Sequence, residues 1–302
     1  MTPTFPLNEM PTMTPSRLKP LAPLVLIALC GTLLPGLAQA AAPQPGKVFK
    51  DCKDCPEMVV LPAGTFTMGT PEDEVGREPD EGPMHDVTFA KPFAMSRFQV
   101  TAGEWDSYVR QSGVKIANGD TRPGRECVAS KPRYPQGPRQ PAVCMDMDDI
   151  KHYVAWLSKK TGQHYQMVSE AQREYAARAG STGPFPFPFD EGKGYSIAKH
   201  ANTYGPADGY SYSSPVGSYP PNAFGMYDMH GNVYERVADC EHPDYMGAPT
   251  DGSAWVEPNC EGYQIRGNDW GEAPVFSRSG NRNTIYPQTR GDWIGFRVVR
   301  DL

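Results

Sequence analysis

The chain has 302 residues, a formal net charge of −6 and a modest hydrophobic fraction of 39%. A mildly acidic surface gives no broad positive patch for nucleic acid or anionic lipid, so we expect neither as a partner. Its 30 glycines and 32 prolines favour a loop-rich globule with little regular secondary structure.

The first 40 residues are typical of an export signal. Arg17 and Lys19 precede the apolar stretch 21–37, and Ala38-Gln39-Ala40 matches a small-residue cleavage site. A spanning helix is the alternative, but prolines and glycines break the stretch and no charged stop follows it. Removing residues 1–40 would change the formal net charge from −6 to −7. We therefore expect a soluble periplasmic protein, cleaved near Ala40, with no membrane contact afterwards.

Six cysteines remain after that cleavage, and an even number in an exported chain indicates disulfides. Among the possible pairings, local ones are favoured: Cys52 with Cys55, Cys127 with Cys144, and Cys240 with Cys260. Each of the last two closes a loop of about 20 residues and contributes about 3 kcal/mol. A half zinc site or a redox pair is the alternative for the first pair, but the rest of either motif is missing.

The elements before the first helix are short. Residues 41–57 are interpreted as an N-terminal linker. Met58–Met68 predicts two strands joined by a tight turn at Pro62-Ala63-Gly64. An acidic loop follows at 72–81, and Asp86–Phe98 predicts two further short strands.

Three helices have clear start signals. The first begins at the capping box Thr101–Glu104, and the third at the capping box Ser169–Gln172. The second covers Asp146–Lys160 with apolar residues at helical spacing and ends at Gly162. Beyond Gly180 the pattern favours short strands and long loops.

Four segments together resemble the formylglycine-generating enzymes, also called sulfatase-modifying factors. They are Met58–Gly69 (MVVLPAGTFTMG), Asn222–Arg236 (NAFGMYDMHGNVYER), Arg266–Trp270 (RGNDW) and Gly295–Arg300 (GFRVVR). The resemblance covers residues 58–302. It implies one α+β domain of the formylglycine-generating-enzyme fold, which is C-type-lectin-like, low in regular secondary structure and stabilised by calcium and disulfides.

The resemblance also implies structural calcium at two turn-rich segments. The first set of oxygen donors comprises Asn202, Thr203, Asp208 and Tyr210, and the second comprises Gly231, Val233 and Glu235. Side-chain and carbonyl oxygens of this kind suit Ca²⁺. The alternative is a pair of turns in which Asn202 and Asn232 bond their own backbone. The resemblance favours calcium for the first set and leaves the second open.

In the family, a copper-binding cysteine pair follows the Arg-Gly-Gly-Ser segment. Here that segment is Arg266–Trp270, and no cysteine occurs after Cys260. Glu272 falls where the first cysteine would be, and the second falls near Pro274 or Ser277. Copper(I) requires soft thiolate ligands, so we expect no copper and no formylglycine chemistry by the family's route.

Two carboxylates, Asp269 and Glu272, are the candidate catalytic residues. Like charges in a partly desolvated cleft raise one pKa and create an acid or base usable near neutral pH. The alternative is that one of them pairs with Arg266, Arg278 or Arg282. We expect the substrate cleft to be lined by Trp270, Ser277, Arg278, Arg282, Tyr234 and Phe276, although Arg282 is also suited to a buried structural role.

Within the family, the chain resembles an exported member without the cysteine pair that is needed for maturation of the siderophore pyoverdine. That resemblance implies an oxidoreductase acting on dihydropyoverdine, a catechol-bearing fused ring system, with aromatic residues stacking on it and Asp269 or Glu272 removing a proton. The expected partner is thus a small-molecule or peptide siderophore precursor. Two alternatives stay open: a non-catalytic periplasmic scaffold that binds a ligand or peptide, and an oxidase that modifies a sulfatase cysteine.

Overall fold

The computed structural model describes residues 44–119, 126–189 and 196–302. The expected signal peptide, 1–40, lies outside the described residues. From residue 44 onward the described chain belongs to one compact unit, Ala42–Leu302. None of the helices in these ranges combines the length and apolar character needed to cross a membrane.

Short strands account for most of the regular structure. In chain order the described strands are β1 (Val48–Phe49), β2 (Met58–Leu61), β3 (Gly64–Met68), β4 (His85–Phe89), β5 (Phe93–Ser96), β6 (Cys127–Val128), β7 (Lys131–Pro132), β8 (Tyr165–Met167), β9 (Tyr234–Cys240), β10 (Tyr263–Arg266), β11 (Asn283–Ile285), β12 (Ile294–Phe296) and β13 (Val298–Arg300). They form a five-stranded sheet in the order β1-β2-β5-β13-β8, a four-stranded sheet in the order β11-β10-β9-β12, and two ribbons, β3-β4 and β6-β7. All pairings are antiparallel except β12 with β9.

Three α-helices form at the three places where the sequence predicts them. They are α1 (Ala102–Ser112), α2 (Met147–Thr161) and α3 (Glu170–Arg178). The side chains of Thr101, Asp146 and Ser169 each accept a hydrogen bond from the backbone N–H three residues later. Gly113 and Gly162 end the first two helices in the left-handed conformation. The α+β class and the helix positions are therefore confirmed.

The segment expected to be a linker, 41–57, is partly a strand of the larger sheet. Val48 pairs with Val59 and Phe49 with Met58, which makes β1 the edge neighbour of β2. Cys55 is fully buried. The folded unit therefore begins before Met58, because the residues ahead of it complete the sheet.

The hairpin expected within Met58–Met68 does not form. β2 pairs with β1 and β5, whereas β3 pairs with β4 in a separate ribbon. All four residues of β2 are buried, but β3 alternates between half-buried and exposed positions until it ends at the buried Met68. A strand buried on both faces belongs inside a sheet, and a one-sided strand belongs on a surface ribbon.

The three predicted disulfides are present. Cys52–Cys55, Cys127–Cys144 and Cys240–Cys260 have Cα–Cα separations of 5.0, 5.4 and 5.2 Å. These separations lie in the normal range for a disulfide. All six described cysteines are therefore oxidised, and they constrain the loops around the two sheets.

Candidate functional site

One cleft of about 590 Å³ opens beside the four-stranded sheet. Its walls are the loop after β10, the loop 204–211 and side chains from β9, β11 and the turn before β12. The described lining residues are Arg133, Tyr204, Gly205, Pro206, Tyr210, Ser211, Tyr234, Asp269, Trp270, Gly271, Glu272, Asn283, Asp292 and Trp293. Four residues expected there from the sequence, Asp269, Glu272, Trp270 and Tyr234, are thus brought together.

A sharp turn after β10 directs the candidate catalytic loop into this cleft. Gly267 and Asn268 both have left-handed backbones, with φ of 98° and 68°. A Cβ on Gly267 would lie 2.3 Å from the guanidinium of Arg173, so only glycine fits. The Asn268 amide donates to the Ala273 carbonyl at 3.1 Å and to the Ser277 hydroxyl at 2.8 Å, which closes the loop behind Trp270.

Three carboxylates belong to the cleft. Asp269 is buried and accepts a 2.6 Å hydrogen bond from the Gly271 N–H. The Glu272 side chain is exposed, and its backbone carbonyl accepts from the Tyr204 N–H at 2.9 Å. Asp292 is buried, with one carboxylate oxygen 3.9 Å from the Arg133 guanidinium. The arrangement provides both a buried and an accessible carboxylate for proton transfer.

Aromatic rings form much of the remaining wall. The Trp270 ring lies edge-on to Tyr212 with centroids 5.1 Å apart, and Tyr234 lies edge-on to Trp293 at 5.7 Å. Burial raises the pKa of Tyr234 to about 12, and the charges of Asp269 and Glu272 act in the same direction. The Tyr234 hydroxyl therefore stays protonated at neutral pH in a negative local field.

Four residues expected in the cleft do not line it. Ser277 is buried and accepts from Asn268, and Phe276 is half-buried on the 3-10 turn Pro274–Ser277. Arg278 is buried against Glu81 at 2.6 Å, and Arg282 against Glu170 at 2.8 Å. The two arginines pair with carboxylates from distant parts of the chain. They are therefore buried away from the cleft that the polar sequence around them predicted.

These arginines belong to a buried group of ion pairs, which we call the ionic cluster. Its members are Glu74, Glu81, Glu170, Glu174, Arg178, Arg266, Arg278 and Arg282. Arg266 contacts Glu170 at 2.7 Å and Glu174 at 2.5 Å. Burial alone would lower the pKa of Arg266, but Tyr245, Glu174 and Glu170 hold it well above its usual value. Arg266 therefore stays charged, and its ion pairs hold Glu170 and Glu174 together behind the cleft.

The first predicted calcium set fits a cation. Both oxygens of Asp208 accept backbone N–H groups, from Thr203 and from Tyr210, at 2.9 Å. Asn202 donates its amide N–H to the Tyr212 carbonyl, but its amide oxygen is buried and accepts no hydrogen bond within the described chain. Buried polar oxygens require a partner, and a hard cation supplies one.

Calcium at this set would be held by Asn202, Asp208 and backbone carbonyls. Across 44–119, 126–189 and 196–302, no three His, Cys, Asp or Glu side chains form a group suited to a metal ion. Amide and carbonyl oxygens would therefore supply most of the ligands. The same loop forms one wall of the cleft through Tyr204 and Tyr210, so a bound ion would fix that wall.

The second predicted calcium set does not fit a cation in this structure. Glu235 is buried and contacts the Arg173 guanidinium at 2.6 Å and the Arg297 guanidinium at 3.0 Å. Burial would raise the pKa of Glu235, but these two arginines hold it below its usual value. The carboxylate that should bind calcium is thus already neutralised.

A carboxamide nitrogen takes the position expected for the second cation. Gln99 Nε2 lies 3.0 Å from the Glu235 carboxylate and 3.1 Å from the Val233 carbonyl. It is also 3.4 Å from the carbonyls of Gly231 and Asp228. The Gln99 oxygen accepts from Asn232 Nδ2 at 3.0 Å, which fixes the orientation of the amide. An N–H donor therefore satisfies the oxygens of this set.

Arg133, Asp292 and Trp293 line the cleft but were not predicted from the sequence. Asp292 and Trp293 lie within three residues of the start of the Gly295–Arg300 motif, and this proximity is the signal in the sequence that could have indicated them. The parallel pairing of β12 with β9 places them beside Tyr234, whose N–H donates to the Trp293 carbonyl at 3.0 Å. That long-range pairing has no local sequence pattern.

The fold and this site define the class of protein. Residues 44–302 match the model of the sulfatase-modifying factor enzyme 1-like domain, so the chain belongs to this family. The structure of PvdO from Pseudomonas aeruginosa is 77% identical, has a TM-score of 0.85, and covers 86% of this chain and 100% of its own.

Curated relatives include both active and inactive enzymes by name. The inactive C-alpha-formylglycine-generating enzyme 2 of Bos taurus is 29% identical over 80% of this chain and 87% of its own length. The formylglycine-generating enzyme of Mycobacterium tuberculosis is 28% identical over 81% of this chain and 98% of its own. Family membership therefore does not by itself determine activity.

Proposed function

We propose that this chain oxidises the dihydropyoverdine chromophore during siderophore maturation, in the cleft beside Glu272. The 77% identity to PvdO supports the proposal, as does the resemblance, read from the sequence, to an exported family member that lacks the cysteine pair. The observation that carries it is geometric. Glu272, at the position of the family's first reactive cysteine, shares an aromatic-walled cleft with Asp269.

Glu272 is the proposed general base. Its side chain is exposed within the cleft, so a substrate hydroxyl can reach it. A positioned carboxylate that removes a proton in the transition state typically contributes about 10² to 10⁴ in rate. Deprotonation turns a catechol into an electron-rich catecholate, which loses electrons much more readily.

The oxidation removes two electrons and two protons from the ring system and forms one new ring double bond. We propose dioxygen as the electron acceptor, which takes both electrons and both protons and becomes hydrogen peroxide. Glu272 accepts one proton transiently and passes it to the reduced oxygen, so the carboxylate is regenerated. Trp270, Tyr234 and Trp293 would stack on the substrate ring, and Asp269 would hold it beside Glu272.

Incubation of the purified protein with dihydropyoverdine tests the proposal. We expect the absorbance of the oxidised chromophore to rise with protein concentration, with one hydrogen peroxide formed per product. Glu272→Ala should lose most of this activity, whereas Glu261→Ala, a change of another exposed glutamate outside the lining residues, should retain it. No rate above the buffer control would exclude the proposed reaction.

A non-catalytic binding role is the second candidate, favoured by the similarity to an inactive relative. It predicts dihydropyoverdine binding without turnover. Modification of a sulfatase cysteine receives less support, since all six described cysteines form disulfides. Mass analysis of a Cys-x-Pro-x-Arg peptide after incubation would detect the formylglycine product.

We also propose that the protein works in the periplasm after cleavage near Ala40. The three disulfides support an oxidising compartment, where such bonds persist. Cell fractionation and N-terminal sequencing of the mature protein test this proposal. A chain that keeps residues 1–40 in the cytoplasm would contradict it.

A further inference from the structure

A second cavity, of about 460 Å³, adjoins the cleft along strand β11. Asn283 of this strand lines the cleft, whereas the residues that follow it line the second cavity. The described lining of the second cavity is Glu241, Thr284, Ile285, Tyr286, Thr289 and Trp293. Among these residues, Trp293 alone also lines the cleft. Trp293 therefore forms the boundary that the two cavities share.

The Trp293 ring is held in one position. A Cβ on Gly291 would lie 2.5 Å from the indole nitrogen and 2.8 Å from Cε2, so the ring packs directly on the glycine backbone. The ring also packs edge-on against Tyr234, with centroids 5.7 Å apart, and joins the apolar cluster that contains Ile265 and Ile285. Close-packed side chains of this kind do not move aside without losing their contacts. The boundary between the cavities is therefore rigid.

The far wall of the second cavity is also firmly held. It is a turn that carries Tyr286 and Thr289, and the buried Arg236 guanidinium donates to their carbonyls at 3.4 and 2.5 Å. The Met147 N–H donates to the Pro287 carbonyl of the same turn at 3.0 Å. The Tyr286 ring is nevertheless 72% exposed. A cavity with fixed walls and an exposed ring can accept a ligand without first paying to reorganise.

We propose that Trp293 is a specificity-determining residue, which limits how far a ring system bound in the cleft extends along β11. This inference rests on the proposed function, which places a catechol-bearing ring ligand beside Glu272. The indole contacts a ring system that ends at the boundary and blocks a longer one, because the fixed ring cannot yield. Without the indole, the second cavity would continue the cleft and accept the added length.

Two catechols of different length test this limit without turnover. They are naphthalene-2,3-diol and 6-phenylnaphthalene-2,3-diol, which share the catechol and differ by one added ring. Isothermal titration calorimetry under argon compares their Kd values, since no oxidation proceeds without an electron acceptor. We expect the wild-type protein to bind the shorter compound at least about tenfold more tightly.

Variants of Trp293 locate the limit. Trp293→Ala should reverse the preference, so that the longer compound binds at least about tenfold more tightly, because its added apolar ring enters the second cavity. Trp293→Phe keeps a ring at the boundary and should give an intermediate ratio of Kd values, even if Trp293→Ala fails to fold. Trp156→Ala, a change of a tryptophan on α2 outside the described lining of both cavities, is the control and should keep the wild-type preference.

A tryptophan with a purely structural role would change stability and leave the ratio of the two Kd values unchanged. Equal binding of the two compounds by the wild-type protein, tighter binding of the longer one, or binding of neither would overturn the inference. The wild-type preference in a folded Trp293→Ala protein would overturn it as well.

The two proposals fail separately. A protein that shows the length preference and its reversal but does not oxidise dihydropyoverdine loses the proposed reaction and keeps the role of Trp293. A protein that oxidises dihydropyoverdine but binds both catechols equally keeps the reaction and loses the length limit.

Discussion

Two polar stretches follow β10 and have opposite positions in the structure. Residues 269–272 face the cleft, and residues 277–282 are buried in or beside the ionic cluster. Both are rich in charged and small polar residues, and both were expected to line the same cleft. The difference shows that polar character after a family motif does not identify a substrate-facing surface.

Distant carboxylates explain the difference. Arg278 meets Glu81, which lies 197 residues earlier, and Arg282 meets Glu170, which lies 112 residues earlier. Buried arginines require such partners, because an unpaired buried charge is very costly. The cleft stretch instead ends in Glu272, whose exposed side chain remains accessible to a substrate.

The largest expected effect is on stability. Arg282→Ala would leave Glu170 with one fewer buried counter-ion, and breaking a buried pair of this kind typically costs about 3–5 kcal/mol. Glu272→Ala, a change of the exposed residue that ends the cleft stretch, should cost less than about 1 kcal/mol. Urea unfolding followed by circular dichroism measures both. Equal losses of the free energy of unfolding would remove the distinction between the two stretches.

The second effect is on activity. Glu272→Gln should lower the rate of dihydropyoverdine oxidation by at least about a hundredfold, with little change in the free energy of unfolding, because this exposed side chain holds no buried charge. Glu261→Gln serves as the matched exposed control. Steady-state kinetics and thermal unfolding of the same preparations give the comparison. An unchanged rate in Glu272→Gln would mean that the cleft stretch is no more catalytic than the buried one.

We expect bound calcium to order residues 269–272, which face the cleft, and to leave the buried residues 277–282 unchanged. The first cation set lies in the loop whose Tyr204 N–H donates to the Glu272 carbonyl at 2.9 Å. We expect one bound calcium per chain, because Gln99 satisfies the oxygens of the second set. At ten to a hundred times its Kd, calcium would stabilise the chain by about 1.4 to 2.7 kcal/mol.

Equilibrium dialysis of the chelator-treated protein against calcium measures the stoichiometry. Asp208→Asn should abolish binding, and Gln111→Ala, a change at the exposed end of α1, should not affect it. Hydrogen exchange should show calcium-dependent protection at 269–272 without a matching change at 277–282. Two tightly bound ions per chain would mean that the Gln99 amide does not exclude the second one.

Local signals predicted much of the fold. The capping boxes at Thr101 and Ser169 and the disulfides involve residues close in sequence, so their patterns were sufficient. The β2–β3 hairpin was wrong, because each strand pairs with a more distant partner. The cleft was predicted only in its β10 loop and at Tyr234. Arg133 and Asp292 reach it through long-range packing, which no local pattern encodes.

The smallest effect concerns the ionisation of Tyr234. Its pKa is raised to about 12 by burial, with Asp269 and Glu272 acting in the same direction. Replacing Glu272 by glutamine removes one negative charge near the phenol, so the Tyr234 pKa should fall by less than about one pH unit. Ultraviolet titration measures this as the difference between each protein and its Tyr234→Phe counterpart.

The raised pKa of Tyr234 also makes the stability of the protein depend on pH. The folded protein favours the neutral phenol, since the Tyr234 pKa is about 12 in the fold against its usual value of 10.0. Its contribution to stability is therefore complete below pH 10 and is lost as the pH rises from 10 to 12. Tyr234→Phe should flatten this part of the stability profile. If Asp269→Asn and Glu272→Gln left the Tyr234 pKa unchanged, the charges of these two carboxylates would not determine the electrostatic potential in the cleft. Residues 269–272 and 277–282 would then differ in burial and not in their electrostatic effect on the cleft.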